Sequence, residues 1–266
     1  MTAPSPTILV FDSGLGGLTV FREIVPLRPD ARFVYAADDA GFPYGRLSEA
    51  ELSDRVVSVM GALIDAHRPD LVVIACNTAS TLVLSQLRES FTVPFVGTVP
   101  AIKPACAASQ TRLVSVLGTE ATVTREYTRK LIADFGHGCD VTLVGSRRLA
   151  VLAEALLHGE VVDDDDIADE IAPCFIQRDG LRTDTLVMAC THYPLLDAQI
   201  ARLAPWPVTL IDPAPAIARR VVDLLGPAPS QAADGHAAFL KTSGTLPNTA
   251  LAAGLVRLGF RQVSPV

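Results

Sequence analysis

The sequence predicts an α/β fold of two similar three-layer units, each a mostly parallel sheet between helices, and two observations carry the prediction. Apolar runs of strand length alternate with stretches of helical periodicity along most of the chain, the pattern of parallel strands covered by helices on both faces. One kind of run also recurs: "LVVIACNTAS" (71–80) and "DTLVMACTHYPLL" (184–196) each bring a buried-type strand to Ala-Cys and then to Asn or Thr. A chain of 266 residues can form two domains of ordinary size, and the repeat gives each one such strand ending.

Taken in order, "TILVFD" (7–12) is a strand, and the small residues of "SGLGG" turn it into a helix over "LTVFREIV". "ARFVYAA" (31–37) is the next strand, closed by the Gly/Pro loop "DDAGFPYG". Ser48 and Glu51 have capping-box spacing, so a helix begins near Glu49 and runs towards His67. "DLVVIAC" follows as strand and Thr78 to Glu89 as helix. "RLVSVLG" (112–118) is a strand with a helix from about Thr122 to Phe135, and "CDVTLVG" (139–145) a strand with a helix around Leu149 to Leu157. A helix from about Asp166 to Gln177, the strand "DTLVMAC", and the strand "PVTLID" (207–212) with a helix through Leu225 complete the pattern. The acidic run Asp163 to Asp166 suits a helix N-terminus, where negative charge is favourable.

Composition narrows the function. Hydrophobic residues make up 49% and charged residues 19%, and the mean hydropathy is +0.35, yet no apolar run approaches the roughly 18 residues of a membrane span. The start, "MTAPSPTILVFDSG", lacks a basic stretch followed by a long apolar one, so no signal peptide, no membrane segment and a cytoplasmic location are expected. A net charge of -7 argues against a nucleic-acid partner, and the pairs Arg147-Arg148 and Arg219-Arg220 are too short to counter it. Five cysteines, Cys76, Cys106, Cys139, Cys174 and Cys190, without a close pair fit neither a disulfide framework nor a zinc ribbon. Cys106, Cys139 and Cys174 need no role beyond that of a small hydrophobe.

Cys76 and Cys190 differ by position, each at the carboxyl end of a strand, where open α/β sheets bind ligands. A following helix N-terminus would favour thiolate there. Two thiols from two facing units can reach opposite faces of one carbon, the geometry for inverting a stereocentre: one thiolate removes the Cα proton and the opposite thiol supplies another.

Taken with these cysteines, "FDSGLGGLTV", "FPYG", "ACNTAS", "FVGTVPAIKPA", "VLGTEAT" and "ACTHYPLL" resemble the bacterial glutamate racemases of the cofactor-independent aspartate/glutamate racemase superfamily, over most of the chain. The resemblance implies interconversion of L- and D-glutamate, supplying D-glutamate for peptidoglycan, with no cofactor and in a homodimer. It implies two α/β domains, 1–97 with 208–266 and 98–207, with the active site in the cleft between them.

By motif, Cys76 and Cys190 correspond to the two acid/base residues, the first acting on D-glutamate and the second on L-glutamate. Asp12 corresponds to the carboxylate assisting the first thiol, His192 to the imidazole assisting the second, and Glu154 to a glutamate near the site. Ser13, Pro43, Tyr44 and Gly45 correspond to substrate contacts, as do Asn77, Thr78, Thr119, Thr122 and Thr191, through hydroxyls, an amide and backbone N–H groups. Where the family commonly has Cys-Pro, this chain has Ser146-Arg147.

Other readings have less support in the residues. Asp12 and Ser13 would serve equally as a helix cap, and His192 as a structural histidine. "GLGG" (14–17) lacks the spacing of a dinucleotide fingerprint. A pyridoxal enzyme needs a Schiff-base lysine, and Lys103, Lys130 and Lys241 lie in no recognisable cofactor motif. No metal is expected, because the five histidines are scattered. A non-catalytic binding protein on the same fold, with a macromolecular partner such as DNA gyrase, would have no need to keep both cysteines.

Overall fold

The computed structural model describes residues 5–229 and 236–265. Residues 1–4, part of the stretch read against a signal peptide, lie outside it. β1 (Thr7–Asp12) is followed by α1 (Leu18–Ile24), β2 (Arg32–Ala37), α2 (Glu49–His67), β3 (Leu71–Ile74), α3 (Asn77–Ser90) and β4 (Phe95–Gly97). Then come α4 (Ile102–Ala108), β5 (Leu113–Thr119), α5 (Glu120–Thr124), α6 (Glu126–Phe135), β6 (Asp140–Ser146), α7 (Leu149–Leu157) and α8 (Asp164–Ile171). A short antiparallel hairpin, β7 (Gln177–Arg178) with β8 (Leu181–Arg182), leads to β9 (Thr185–Ala189), α9 (Asp197–Leu203) and β10 (Thr209–Ile211). α10 (Ala214–Leu225), β11 (Ala237–Lys241), α11 (Thr249–Arg257) and β12 (Phe260–Pro265) end the described chain. None of the helices in the described residues is long and apolar enough to cross a membrane.

Two parallel sheets organise these elements, with strand orders β12-β11-β2-β1-β3-β4 and β10-β9-β5-β6. Alternation along β1 shows why each sheet is a middle layer: Ile8 and Val10 pack towards α1, α10 and α11, whereas Leu9 and Phe11 pack towards α2 and α3. In the second sheet Val114 and Val116 face α4, and Leu117 with Met188 faces α7, α8 and α9. α2 starts where the sequence predicts, Ser48 and Glu51 forming both bonds of the capping box. Asp163 caps α8 by accepting from the Asp165 N–H at 3.1 Å.

Three expectations need correction. The strand at 207–212 belongs to the second sheet, because Thr209–Ile211 pairs with β9, so the chain leaves that sheet after Ile211 rather than near 208. The helix expected to run unbroken from Thr122 to Phe135 breaks at Arg125, whose backbone is extended (φ -71°, ψ 144°). The Thr122 carbonyl there accepts from the Thr128 hydroxyl at 2.6 Å. The helix expected to reach Gln177 ends at Ile171, and a single 3₁₀ turn, Ala172–Cys174, with Pro173 in its first turn, follows it.

Candidate active site

The site is assembled at the carboxyl ends of both sheets, and Asp12 is its floor. This last residue of β1 is fully buried; its Oδ1 accepts from the Gly14 N–H at 2.7 Å and its Oδ2 from the Thr191 hydroxyl at 2.9 Å. Thr191 follows β9, so a carboxylate from one sheet is held by a hydroxyl from the other. Burial lifts the Asp12 carboxyl above its ordinary pKa, although His192 and these hydrogen bonds pull it down. Cys76 caps α3 with an extended backbone and is 5% exposed; its thiol donates to the Ser13 hydroxyl at 3.7 Å. Burial, reinforced by the Asp12 charge, pushes this thiol up to about 12, against the smaller pull of the Ala79 N–H. The expectation that the helix N-terminus would favour thiolate therefore fails at Cys76, because one amide does not offset dehydration beside a carboxylate.

Cys190 has different company. No α-helix begins at it; a 3₁₀ turn, Tyr193–Leu196, intervenes before α9. Its Sγ lies 3.8 Å from Nδ1 of His192, and Nε2 of the same ring lies 2.8 Å from Oε1 of Glu154 on α7. Glu154 Oε1 also accepts the Leu15 N–H at 2.6 Å. Burial opposes a charge on His192, but the hydrogen bonds to Cys190 and Glu154 and the charges of Cys190 and Asp12 prevail, holding its pKa well above the ordinary value. An imidazolium donates through both nitrogens, to sulfur on one side and carboxylate on the other. Gly16 N, 3.2 Å from Nε2, then has no lone pair to meet there.

Two of the three glycines of "GLGG" are explained by these approaches. A Cβ on Gly14 would stand 2.1 Å from Glu154 Oε1, and one on Gly16 would stand 2.3 Å from His192 Nδ1. The loop after β1 thus needs glycine so that the two side chains of the second unit can reach it.

The expected substrate contacts fall into two groups. Asn77 is 2% exposed, and neither Oδ1 nor Nδ2 has a hydrogen-bond partner, a costly state unless a ligand completes it. Beside it Thr78 Oγ1 lies 3.0 Å from Thr119 Oγ1 and 3.4 Å from Thr122 Oγ1, and Thr119 and Thr122 are 2.9 Å apart. Pro43, Gly45 and Thr119 line one cavity of about 390 Å³ together with Ser146. Tyr44 turns its hydroxyl away, donating to Asp38, whose carboxylate also takes a bidentate grip from Arg55 at 2.6 Å and 2.6 Å. Its side-chain oxygen is thereby spent on anchoring the loop, and Tyr44 is not among the residues that line the cavity.

At the Ser146-Arg147 departure, Ser146 Oγ accepts from the Leu149 N–H at 3.0 Å and donates to Glu170. The hydroxyl thus satisfies the first amide of α7, the helix that carries Glu154. Sequence reasoning missed Asp38, Arg55 and Arg125; only the position of Asp38 in the loop ahead of "FPYG" signalled any of them.

Comparison with known proteins identifies the family and the fold. The family model for Asp/Glu/hydantoin racemase matches residues 18–221. A glutamate racemase of Brucella anthropi is 60% identical over 221 residues, 83% of this chain and 80% of its own length, and one of Brucella canis is 57% identical over 224 residues, 84% and 81%. Among solved structures, Escherichia coli glutamate racemase in complex with L-glutamate and the activator UDP-MurNAc-Ala superposes with a TM-score of 0.89 at 41% identity, over 99% of this chain and 98% of that one.

Proposed function

The chain belongs to the Asp/Glu/hydantoin racemase family, and from that membership we propose that it interconverts L- and D-glutamate by proton transfer at Cα between Cys76 and Cys190. The observation that carries this reading is that each buried thiol lies by a polar partner of its own motif: the Cys76 thiol donates to the hydroxyl of Ser13, next to buried Asp12, at 3.7 Å, and His192 lies 3.8 Å from the Cys190 sulfur. Glutamate racemases at 60% and 57% identity support glutamate over other acidic amino acids.

In this mechanism the Cys76 thiolate takes the Cα proton of D-glutamate, and the Cys190 thiol delivers its proton to the opposite face. One C–H bond breaks and one forms, and the enzyme ends with the proton on the other sulfur, ready for L-glutamate. His192 assists Cys190, Asp12 assists Cys76, and Glu154 holds the imidazolium. Asn77, the hydroxyls of Thr78, Thr119, Thr122, Thr191 and Ser13, and the backbone at Pro43, Tyr44 and Gly45 bind the carboxylates and ammonium and steady the charge that develops at Cα. The reading includes D-glutamate supply for peptidoglycan, a cytoplasmic setting, a homodimer, and two units that divide near residue 97 and after Ile211.

Proton NMR of L- and D-glutamate in deuterated water, with circular dichroism following inversion, tests this. Loss of the Cα proton signal with decay of optical rotation from both enantiomers is expected. Exchange of aspartate alone would move the substrate, and no exchange with any acidic amino acid would overturn the reading.

A further inference from the structure

Arg125 brings a buried positive charge to the α3 end of the cleft with little to neutralise it. Its side chain is 7% exposed and crosses from the break between α5 and α6 to α3, where Nη1 donates to the Thr78 carbonyl at 2.5 Å and to Thr81 Oγ1 at 3.2 Å. Its carboxylate neighbour among the described residues is Glu49, 3.5 Å from Nε but 71% exposed, so water screens the pair. The guanidinium also stands against the first turn of α3, a 14-residue helix whose N-terminus is itself positive. Two positive sources in a dry setting are unfavourable unless an anion joins them.

Asn77 indicates where that anion goes. It is the first residue of α3, and both polar atoms of its buried side chain lack partners. The hydroxyls of Thr78, Thr119 and Thr122 cluster beside it. Amide, hydroxyls, helix N-terminus and guanidinium together suit a carboxylate. An amino acid with a neutral side chain is a zwitterion of no net charge, whereas one with a second carboxylate carries a net negative charge, so a positive potential here discriminates between them.

We propose that Arg125 is the buried countercharge for a substrate carboxylate at the α3 end of the cleft, and so a residue that sets the preference for acidic amino acids. The inference rests on the glutamate reading above. Arg125 acts through Thr78 and through its field, which makes it a positioning residue.

Steady-state KM and kcat for both glutamate enantiomers, measured on the full chain and on Arg125→Gln, Arg125→Lys and Glu49→Gln, test it, with thermal melts alongside. Gln keeps hydrogen-bond donation to the Thr78 carbonyl without the charge, and Lys keeps the charge. Arg125→Gln is expected to raise KM about tenfold or more with a smaller fall in kcat, and Arg125→Lys to recover most of that loss. Glu49→Gln, an exposed change that leaves the guanidinium less neutralised, is expected to lower KM about twofold. A KM for Arg125→Gln within about twofold of the parent, Lys no better than Gln, or a raised KM for Glu49→Gln would each overturn the proposal. Absence of glutamate exchange in the unsubstituted chain would instead strike the glutamate reading.

Discussion

Cys76 and Cys190 end equivalent strands of two parallel sheets, yet their electrostatic surroundings are opposite. At Cys76 burial, reinforced by the Asp12 charge, pushes the thiol up to about 12. Cys190 faces His192, whose raised pKa keeps an imidazolium 3.8 Å from the sulfur. A two-base racemase needs one sulfur protonated and the other ionised at every turnover. Equal surroundings would leave the location of that proton undecided, whereas burial beside the Asp12 charge holds it on Cys76. The difference teaches that strand endings position the sulfurs, while the titratable side chain that each unit places beside its own sulfur sets the surroundings apart.

The strongest way to break this comparison is to remove either sulfur. Cys76→Ala and Cys190→Ala should each lower racemisation about 10³-fold or more while the circular dichroism spectrum stays native. Enantiomers have equal free energy in achiral solvent, so kcat/KM must fall by one factor for both, and only kcat and KM separately can reveal the asymmetry. Near-parental activity in either variant would end the two-thiol assignment.

Exchanging the partners is the next test. Asp12→Asn and His192→Asn should each cut kcat by about 10²-fold or more with KM little changed, since both groups serve the proton transfer. Their stabilities should diverge. Burial raises the Asp12 carboxyl above its unfolded value, so ionised Asp12 destabilises the fold at neutral pH, and Asn should leave Tm equal or higher. His192 is raised as a base, so its stabilisation is full below the unfolded pKa and is lost as pH rises through the folded one. His192→Asn should therefore lower Tm at acid pH, and equal Tm changes for the two variants would contradict the opposed environments.

Glu154→Gln sharpens the same contrast with a smaller effect. Losing the anion 2.8 Å from Nε2 weakens the hold on the imidazolium, so the alkaline limb of kcat/KM should move to lower pH and activity near neutrality fall about tenfold. An unmoved limb would remove Glu154 from the relay.

Much of this site was legible in the sequence because it sits in short motifs at strand ends. Asp12, Cys76 and Cys190 each close or follow an apolar strand, and periodicity alone locates them. The capping box of α2 was legible for the same local reason. Contacts between distant segments were not. Nothing near Gly14 announces that Glu154, 140 positions away, fills the space a Cβ would occupy. Nothing in "TVTREY" signals that the helix breaks to send Arg125 to α3, because the pattern of apolar residues there continues across the break. The thiol pKa of Cys76 was misjudged because helix position is a local property, whereas dehydration beside Asp12 depends on packing across the fold.

Cys174 supplies the subtlest test of whether burial alone accounts for the Cys76 shift. It is fully buried in the core of the second unit, away from the carboxylate, and burial by itself pushes its thiol up to about 12. An unfolded thiol titrates near 9, so between about 9 and 12 the unfolded chain has lost a proton that the folded chain keeps. Stability from each such thiol is complete below about 9 and declines above it by about 1.4 kcal/mol per pH unit. Urea denaturation from pH 8 to 10.5 should show this decline, and Cys174→Ala and Cys76→Ala should each make it shallower, whatever cavity they leave at neutral pH. Equal flattening by the two variants would show that both thiols keep their proton in the fold throughout this range. A slope that Cys174→Ala leaves unchanged would mean that water reaches the folded thiol, and burial would no longer explain why Cys76 holds its proton.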